Sequence, residues 1–495
     1  MTLREKGAAL LRRPAFWLSV FALTALGLLP MGYIGQDHDD ALYFLAAQSL
    51  REGRYCRWFL PGAPTITDFT PGFPAFLTPV AFLFPDNPMA CQLWTGFALL
   101  ACTGMVWRLF RQSQDAPTAV LLTGLFALNP LVLTRLGVVM PEAPFLLGTL
   151  GFLLLWEKNR LSDFAAGAWL AALYLIRPAA IALWGAAGTS LLIQRRHRSL
   201  FKTFAVPAAT YFLWARWSGP GGGVEESVEL NLLYGGKGPG QWLLNAGLNA
   251  AQLARTWGAT LLPLPWARGI AAPVLGSGVL ALSVWGAVRG LRKKSADASL
   301  WFLAFSLAMH LAWPWWYDRY LLPLLPFLWL ALARVATDLD RWFSPRFRWG
   351  LFGGVLALSF FGQSVFWFVP KARRNEPALA DSYQWIKSHT SAGDGFMSPF
   401  YGRDLIHAQR VFLPPPPVSD NAEALAAVLA RQRVRYVLWD QSMNLGFSDN
   451  RNAVTSAMDR LSRELEDPAR FRVVHEDASG GARIYERLEG RTPNR

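Results

Sequence analysis

Cysteine is nearly absent, with 3 in 495 residues. Cys91 and Cys102 lie in one apolar run and Cys56 in a loop, so no disulfide framework or cysteine-based metal cluster can be built. All three read as small buried side chains. Residues 371–495 contain no GxGxxG turn, no P-loop and no paired cysteines, so that region shows no dinucleotide, nucleotide or zinc chemistry. No internal repeat is visible, which argues against the related halves of many transporters. The net charge is +14. No basic stripe with interleaved aromatics accompanies it, and nucleic acid is not an expected partner.

What is present is apolar. Hydrophobic residues make up 53% of the chain and are grouped in long runs such as 16–29 and 145–156. A soluble chain would show amphipathic stripes, not repeated blocks long enough to cross about 30 Å of hydrocarbon. In lipid the backbone must satisfy its own hydrogen bonds, so the blocks are predicted to be helices. Basic clusters flank them: Arg12/Arg13, Arg108/Arg111, Lys158/Arg160, Arg195/Arg196/Arg198, Arg292/Lys293/Lys294 and Arg346/Arg348. With about eleven spans, all six clusters fall on the cytoplasmic side and the C-terminus lies outside, as the positive-inside rule requires.

The predicted spans are 15–33, 88–110, 116–135, 141–156, 163–176, 178–193, 200–217, 270–288, 298–316, 320–337 and 349–369. The first reads as an uncleaved signal anchor. An outer loop over 34–86 carries a short proline-rich apolar piece that reads as an interfacial helix. A second outer loop, 219–240, is glycine-rich and leads into an amphipathic stretch over 241–262. The expected architecture is a mainly α polytopic membrane domain, 1–370, followed by a small extracytoplasmic α/β domain, 371–495. In that domain 383–389 and 423–434 read as helices, 434–440 and 471–477 as strands, and 414–417 as a stiff proline linker.

Several polar residues need a reason to be where they are. Asp37, His38, Asp39 and Asp40 open the first outer loop directly before ALYFLAAQSL. Acids at a helix start commonly cap it or meet its dipole, but that accounts comfortably for one or two acids, not three. Carboxylates in a partly desolvated cleft also suit proton abstraction from a hydroxyl. A divalent cation shared by Asp37 and Asp39 is a further option. Glu142, just after Pro141, is either a solvated acid at a helix start or an intramembrane functional group. Arg177 and Arg319 either snorkel to the interface or, placed together with the acids, hold a phosphate.

The order of motifs resembles that of the GT-C membrane glycosyltransferases: the protein O-mannosyltransferases, the aminoarabinose transferases and the RgtA/B/C/D-like domain. DDALYFLAAQSLREGRY resembles the opening of their outer loop, and TPGFPAFLTPVAFLF its proline-rich continuation. MPEAPFLLGTLGFLLLWEK, LYLIRPAAIALW and YDRYLLPLLPFLWLALA resemble later segments in the same order, and the tail resembles the outer domain of many members.

The resemblance implies that Asp39 is the general base and that Asp40 stands where the family has Glu, with a shorter side chain. It also implies that Glu142 is the second outer acid, and that Arg319 and Tyr320 contact a lipid phosphate. The implied reaction moves a sugar from a polyprenyl-phosphate carrier to an unidentified acceptor hydroxyl on the outer face, at the inner (plasma) membrane. No cofactor beyond the optional divalent cation is called for. A transporter or flippase of lipid-linked saccharides is the main rival, and a non-catalytic scaffold the other.

Overall fold

The computed structural model describes residues 13–27, 33–35, 37–219, 238–262, 269–313, 318–338, 344–371, 379–415, 428–440, 461–477 and 481–488. The chain divides into two compact units. One comprises Met1–Met31, Thr67–Val224 and Lys237–Ala372; the other comprises Gly32–Ile66, Glu225–Gly236 and Arg373–Arg495. The first half of the expected outer loop thus belongs to the same unit as the C-terminal region.

The first unit is helical. Among the described residues, Pro88–Arg111, Ala271–Lys293 and Asp318–Asp338 are long and apolar enough to cross a membrane. Seven further apolar helices have 10–17 residues, so length and composition single out three spans where the sequence led us to expect about eleven. The shortfall has a physical cause in several places. The expected span 116–135 is split into Ala116–Ala127 and Pro130–Arg135, because Asn129 caps a new start by accepting from the Leu131 N–H at 3.0 Å. The span after Arg177 opens with a 3-10 turn, Pro178–Ala180, before Ile181–Ile193. The span 320–337 opens likewise, with a 3-10 segment over Asp318–Leu324. The proline-rich piece of the outer loop forms the helix Gly72–Leu83. The glycine-rich loop lies almost entirely outside the described residues.

Several helices start with a side-chain cap beside a basic cluster. Asp115 accepts from the Thr118 N–H at 2.9 Å and pairs with Arg348 at 3.0 Å. Asp297 accepts from the Ser299 and Leu300 N–H groups and pairs with Arg334 at 2.9 Å. Each acid satisfies orphan amides and also pairs with an arginine of another helix.

Pro239–Leu261, the predicted amphipathic stretch, packs against Ala271–Lys293 with the backbones nearly touching. A Cβ at Gly258 would lie 1.9 Å from the Ala272 carbonyl oxygen, and one at Gly276 1.7 Å from that of Ala254. Farther along, a Cβ at Gly286 would lie 2.0 Å from the Ala331 carbonyl oxygen. Such close helix approach is what small residues permit where lipid removes the hydrophobic drive to associate.

Among the described residues the second unit is built on a five-stranded sheet: β1 Gly395–Met397, β2 Phe412–Leu413, β3 Val434–Asp440, β4 Phe471–Glu476 and β5 Ala482–Arg487, in the order β2-β1-β3-β5-β4. β1 pairs parallel with β2 and β3, whereas β5 runs antiparallel to both β3 and β4. The two predicted strands become β3 and β4. β1 and β2 are too short to carry a period-two signal, and β5 lies in a charged stretch, ARIYER. The helix Ala380–His389 contains the predicted 383–389. The predicted helix over 423–434 is described only from 428, and the linker only as far as 415. Val437, Trp439, Leu465 and Tyr485 share one apolar core.

Candidate active site

In the first unit the polar residues singled out in the sequence meet around one acid. Glu142 is the first residue of the helix Glu142–Trp156, directly after Pro141 at the N-cap. Arg177 ends Asp163–Ile176 in an extended conformation (φ −155°, ψ 120°), which the following Pro178 favours. That break frees its side chain to reach Glu142, with Nη1 2.5 Å from Oε1. Arg319 lies 3.7 Å from the same oxygen through Nε, and its Nη1 points to the Met140 sulfur at 3.7 Å.

The 3-10 segment that carries Arg319 and Tyr320 is tied down at Asp318, which accepts from the Thr256 hydroxyl at 2.7 Å. The Tyr320 ring lies against both guanidiniums, 5.2 Å from Arg177 and 5.9 Å from Arg319. The ring also lies beside His310, 5.3 Å between ring centroids, which hydrogen-bonds the Ser306 carbonyl at 2.6 Å. The cluster sets two guanidiniums against one carboxylate, with Glu142 4% exposed and Arg177 and Arg319 13% and 15%. Two planar guanidiniums side by side suit an oxyanion with paired oxygens. His310 and Met140 were not singled out in the sequence, because a lone histidine or methionine in an apolar run carries no spacing signal.

The acidic motif lies in the second unit. Its helix is Asp39–Arg51, and the N-cap is His38, which makes no side-chain capping bond. Capping therefore does not explain Asp39. His38 sits at φ 60°, ψ −57°, and the Asp39 N–H donates to the Asp37 carbonyl at 2.6 Å. This is a γ-turn of the rarer, strained hand. Asp37, His38 and Asp39 are half-buried.

Asp40 is 1% exposed, and its two oxygens accept from the Gly35 N–H (2.8 Å) and the Ala41 N–H (3.0 Å). Burial pushes its carboxyl up to about 7, against the pull of those two backbone donors. Burial also lowers the pKa of His38 and thereby favours its neutral form.

Around the turn stands a charge network that no sequence pattern pointed to. Arg403 donates to Asp404 through Nε and to Asp440 through Nη1, both at 2.8 Å. Asp404 also accepts from the Tyr383 hydroxyl at 2.7 Å and from the Ser398 hydroxyl. Burial works against the Arg403 charge, but Asp404, Tyr383 and Asp440 outweigh it and raise its pKa. The helix Tyr401–Ala408 contributes Arg403 and Asp404.

Among the described residues no three His, Cys, Asp or Glu side chains form a set able to hold a metal ion. Asp40 spends both oxygens on backbone amides, which leaves Asp37 and Asp39 short of a hard-cation donor set. Among the described residues, this set does not fit a resident divalent cation.

No family model and no curated protein matches the chain. Solved structures do. An oligosaccharyltransferase from Archaeoglobus fulgidus, tethered to an acceptor peptide containing the NVT sequon, superposes with a TM-score of 0.57 at 14% identity, covering 96% of this chain and 74% of that one. ArnT from Cupriavidus metallidurans bound to undecaprenyl phosphate gives 0.56 at 13% identity, covering 96% and 98%. The same enzyme in the apo state gives 0.57 at 13%, covering 95% and 98%. The chain therefore has the fold of the GT-C membrane glycosyltransferases, the superfamily its motifs resemble. Within that fold it resembles ArnT along nearly the full length of both chains.

Proposed function

We propose that this protein is a membrane glycosyltransferase that moves a sugar from a polyprenyl-phosphate carrier to an acceptor hydroxyl on the outer face of the inner membrane. The observation that carries the reading is the Glu142–Arg177–Arg319–Tyr320 cluster, with Glu142 buried, within a GT-C fold. Arg177 and Arg319 hold the donor phosphate. As the bond between the anomeric carbon and the phosphate oxygen breaks, charge builds on the leaving phosphate and the guanidinium hydrogen bonds strengthen. Glu142 holds the two arginines and keeps their forks inward. Asp39 takes the acceptor's proton as the new bond to the anomeric carbon forms, the sugar passing through an oxocarbenium-like state. Asp40 serves the turn, not the substrate. The reading retains about eleven spans, some made from broken helices, with a cytoplasmic N-terminus and an outer C-terminal domain.

The purified chain in liposomes, supplied with a panel of polyprenyl-phosphate sugars and a membrane lipid extract as acceptor, should transfer sugar from one of them and release polyprenyl phosphate. Movement of the intact donor across the bilayer with no cleavage would instead make the protein a flippase.

A further inference from the structure

The strained turn that presents Asp39 does not hold itself. A γ-turn of this hand persists only where its surroundings over-determine it, and here they come from the C-terminal sequence. The His38 ring packs edge-on against Phe400 at 5.4 Å and Tyr401 at 5.3 Å. The Ile34 carbonyl is hydrogen-bonded to His407 Nε2 at 2.8 Å. Gly35 lies on the aliphatic stem of Arg403 so closely that a Cβ there would be 2.2 Å from its Cγ, and its φ of +101° suits glycine alone. Gly35 in turn gives its N–H to Asp40. Arg403 has little freedom of its own: Asp404 and Asp440 take its Nε and Nη1, its guanidinium lies 4.3 Å over the Phe400 ring, and Asp404 is fixed by Tyr383 and Ser398.

We propose that Arg403, with the Asp404–Tyr383–Asp440 network that holds it, is a positioning residue for the acidic turn, so that the C-terminal domain sets the geometry of the proposed base. The inference rests on the reading of Asp39 as that base. A buried arginine pinned by two carboxylates is a rigid stop, and a loop that packs on its stem inherits that rigidity. Lysine at 403 would keep a charge but lose the fork that spans Asp404 and Asp440, so the stem beneath Gly35 would be free to move. Displacing a proton acceptor by about 1 Å costs up to roughly 10²-fold in rate without loosening a substrate held elsewhere.

The test compares Arg403→Lys with Leu465→Ala in the purified full chain, below the unfolding temperature of both. Leu465 is buried in the core of the same unit and makes no hydrogen bond to the network, so its truncation destabilises the domain and leaves the turn untouched. Arg403→Lys should speed amide hydrogen exchange across residues 33–42 about tenfold and lower kcat by roughly 10- to 100-fold with the KM for the polyprenyl-phosphate sugar unchanged. Leu465→Ala should lower the melting temperature and spare both exchange in that peptide and kcat. Exchange at 33–42 that stays at the wild-type level in Arg403→Lys, or that rises equally in both variants, overturns the proposal. If Arg403→Lys does not fold, Tyr383→Phe removes only the hydroxyl donated to Asp404 and is held to the same outcomes. A wild-type chain that transfers no sugar from any donor refutes the function proposed above, and the exchange measurement still decides whether the clamp exists.

Discussion

A lysine in place of Arg319 would keep the charge and the apolar stem but not the planar fork. If Arg319 merely snorkels, the replacement is silent; if it grips a phosphate, paired geometry is lost. Arg319→Lys should fold normally and bind polyprenyl phosphate more weakly by about 1–3 kcal/mol, the range for a charge-assisted hydrogen bond. Titration of the carrier into wild type and variant checks this, and equal affinities would remove Arg319 from the site. Asp39→Asn should lower turnover on the order of 10²-fold with carrier binding retained, and because His38 and not Asp39 is the N-cap, folding has no cap to lose. Asp40 differs in kind. Its folded carboxyl titrates near 7 against 3.8 ordinarily, so the folded state holds a proton that the unfolded chain has given up. The stability this confers is fully present below about pH 4 and is lost as pH rises to about 7, at up to about 1.4 kcal/mol per pH unit. Thermal unfolding from pH 4 to 7 should therefore show a steeper fall in wild type than in Asp40→Asn. Parallel curves would mean that Asp40 is already ionised in the folded state at the lower end. The sequence places three acids here, and burial together with two backbone hydrogen bonds sets Asp40 apart from Asp37 and Asp39.

Helix contacts were less legible than helices. The predicted boundaries of Pro88–Arg111, Glu142–Trp156 and Asp163–Ile176 agree with the observed ones within a residue or two, because runs of leucine and alanine bounded by proline or charge leave little choice. Which faces touch depends on backbones meeting in space. Gly276 and Gly278 are two residues apart on one helix, yet a Cβ at the first meets Ala254 at 1.7 Å and one at the second meets nothing within 4 Å. Gly276→Ala should force the two helices apart and lower the melting temperature in detergent, by an amount corresponding to about 1–3 kcal/mol. Gly278→Ala should be neutral or stabilising by about 0.5–1 kcal/mol, since only the entropy of glycine is removed. A pair of shifts in the same direction would refute the crossing as described.

For the whole molecule, orientation is a matter of where cations lie along the chain. Reporter fusions after Arg196 and after Lys294 should read cytoplasmic and one after Arg403 external; an external signal at Lys294 would overturn the proposed topology. Composition, apolar runs and flanking charge determined by themselves that this is a mainly helical membrane chain with a mixed α/β tail, because burial in lipid acts on each segment through its own residues. They also supplied Glu142, Arg177 and Arg319 as candidates, and the motif resemblance added Tyr320, but none of this gave their convergence, which depends on breaks at Pro141, Pro178 and the 3-10 turn at 318–324. Only the tertiary structure decided that the acidic loop shares a compact unit with residues more than three hundred positions away, as the bond between Ile34 and His407 shows. Contacts of that range leave no periodicity in sequence. They arise where a strained turn, a glycine and a buried arginine meet, and each of those residues alone reads as ordinary.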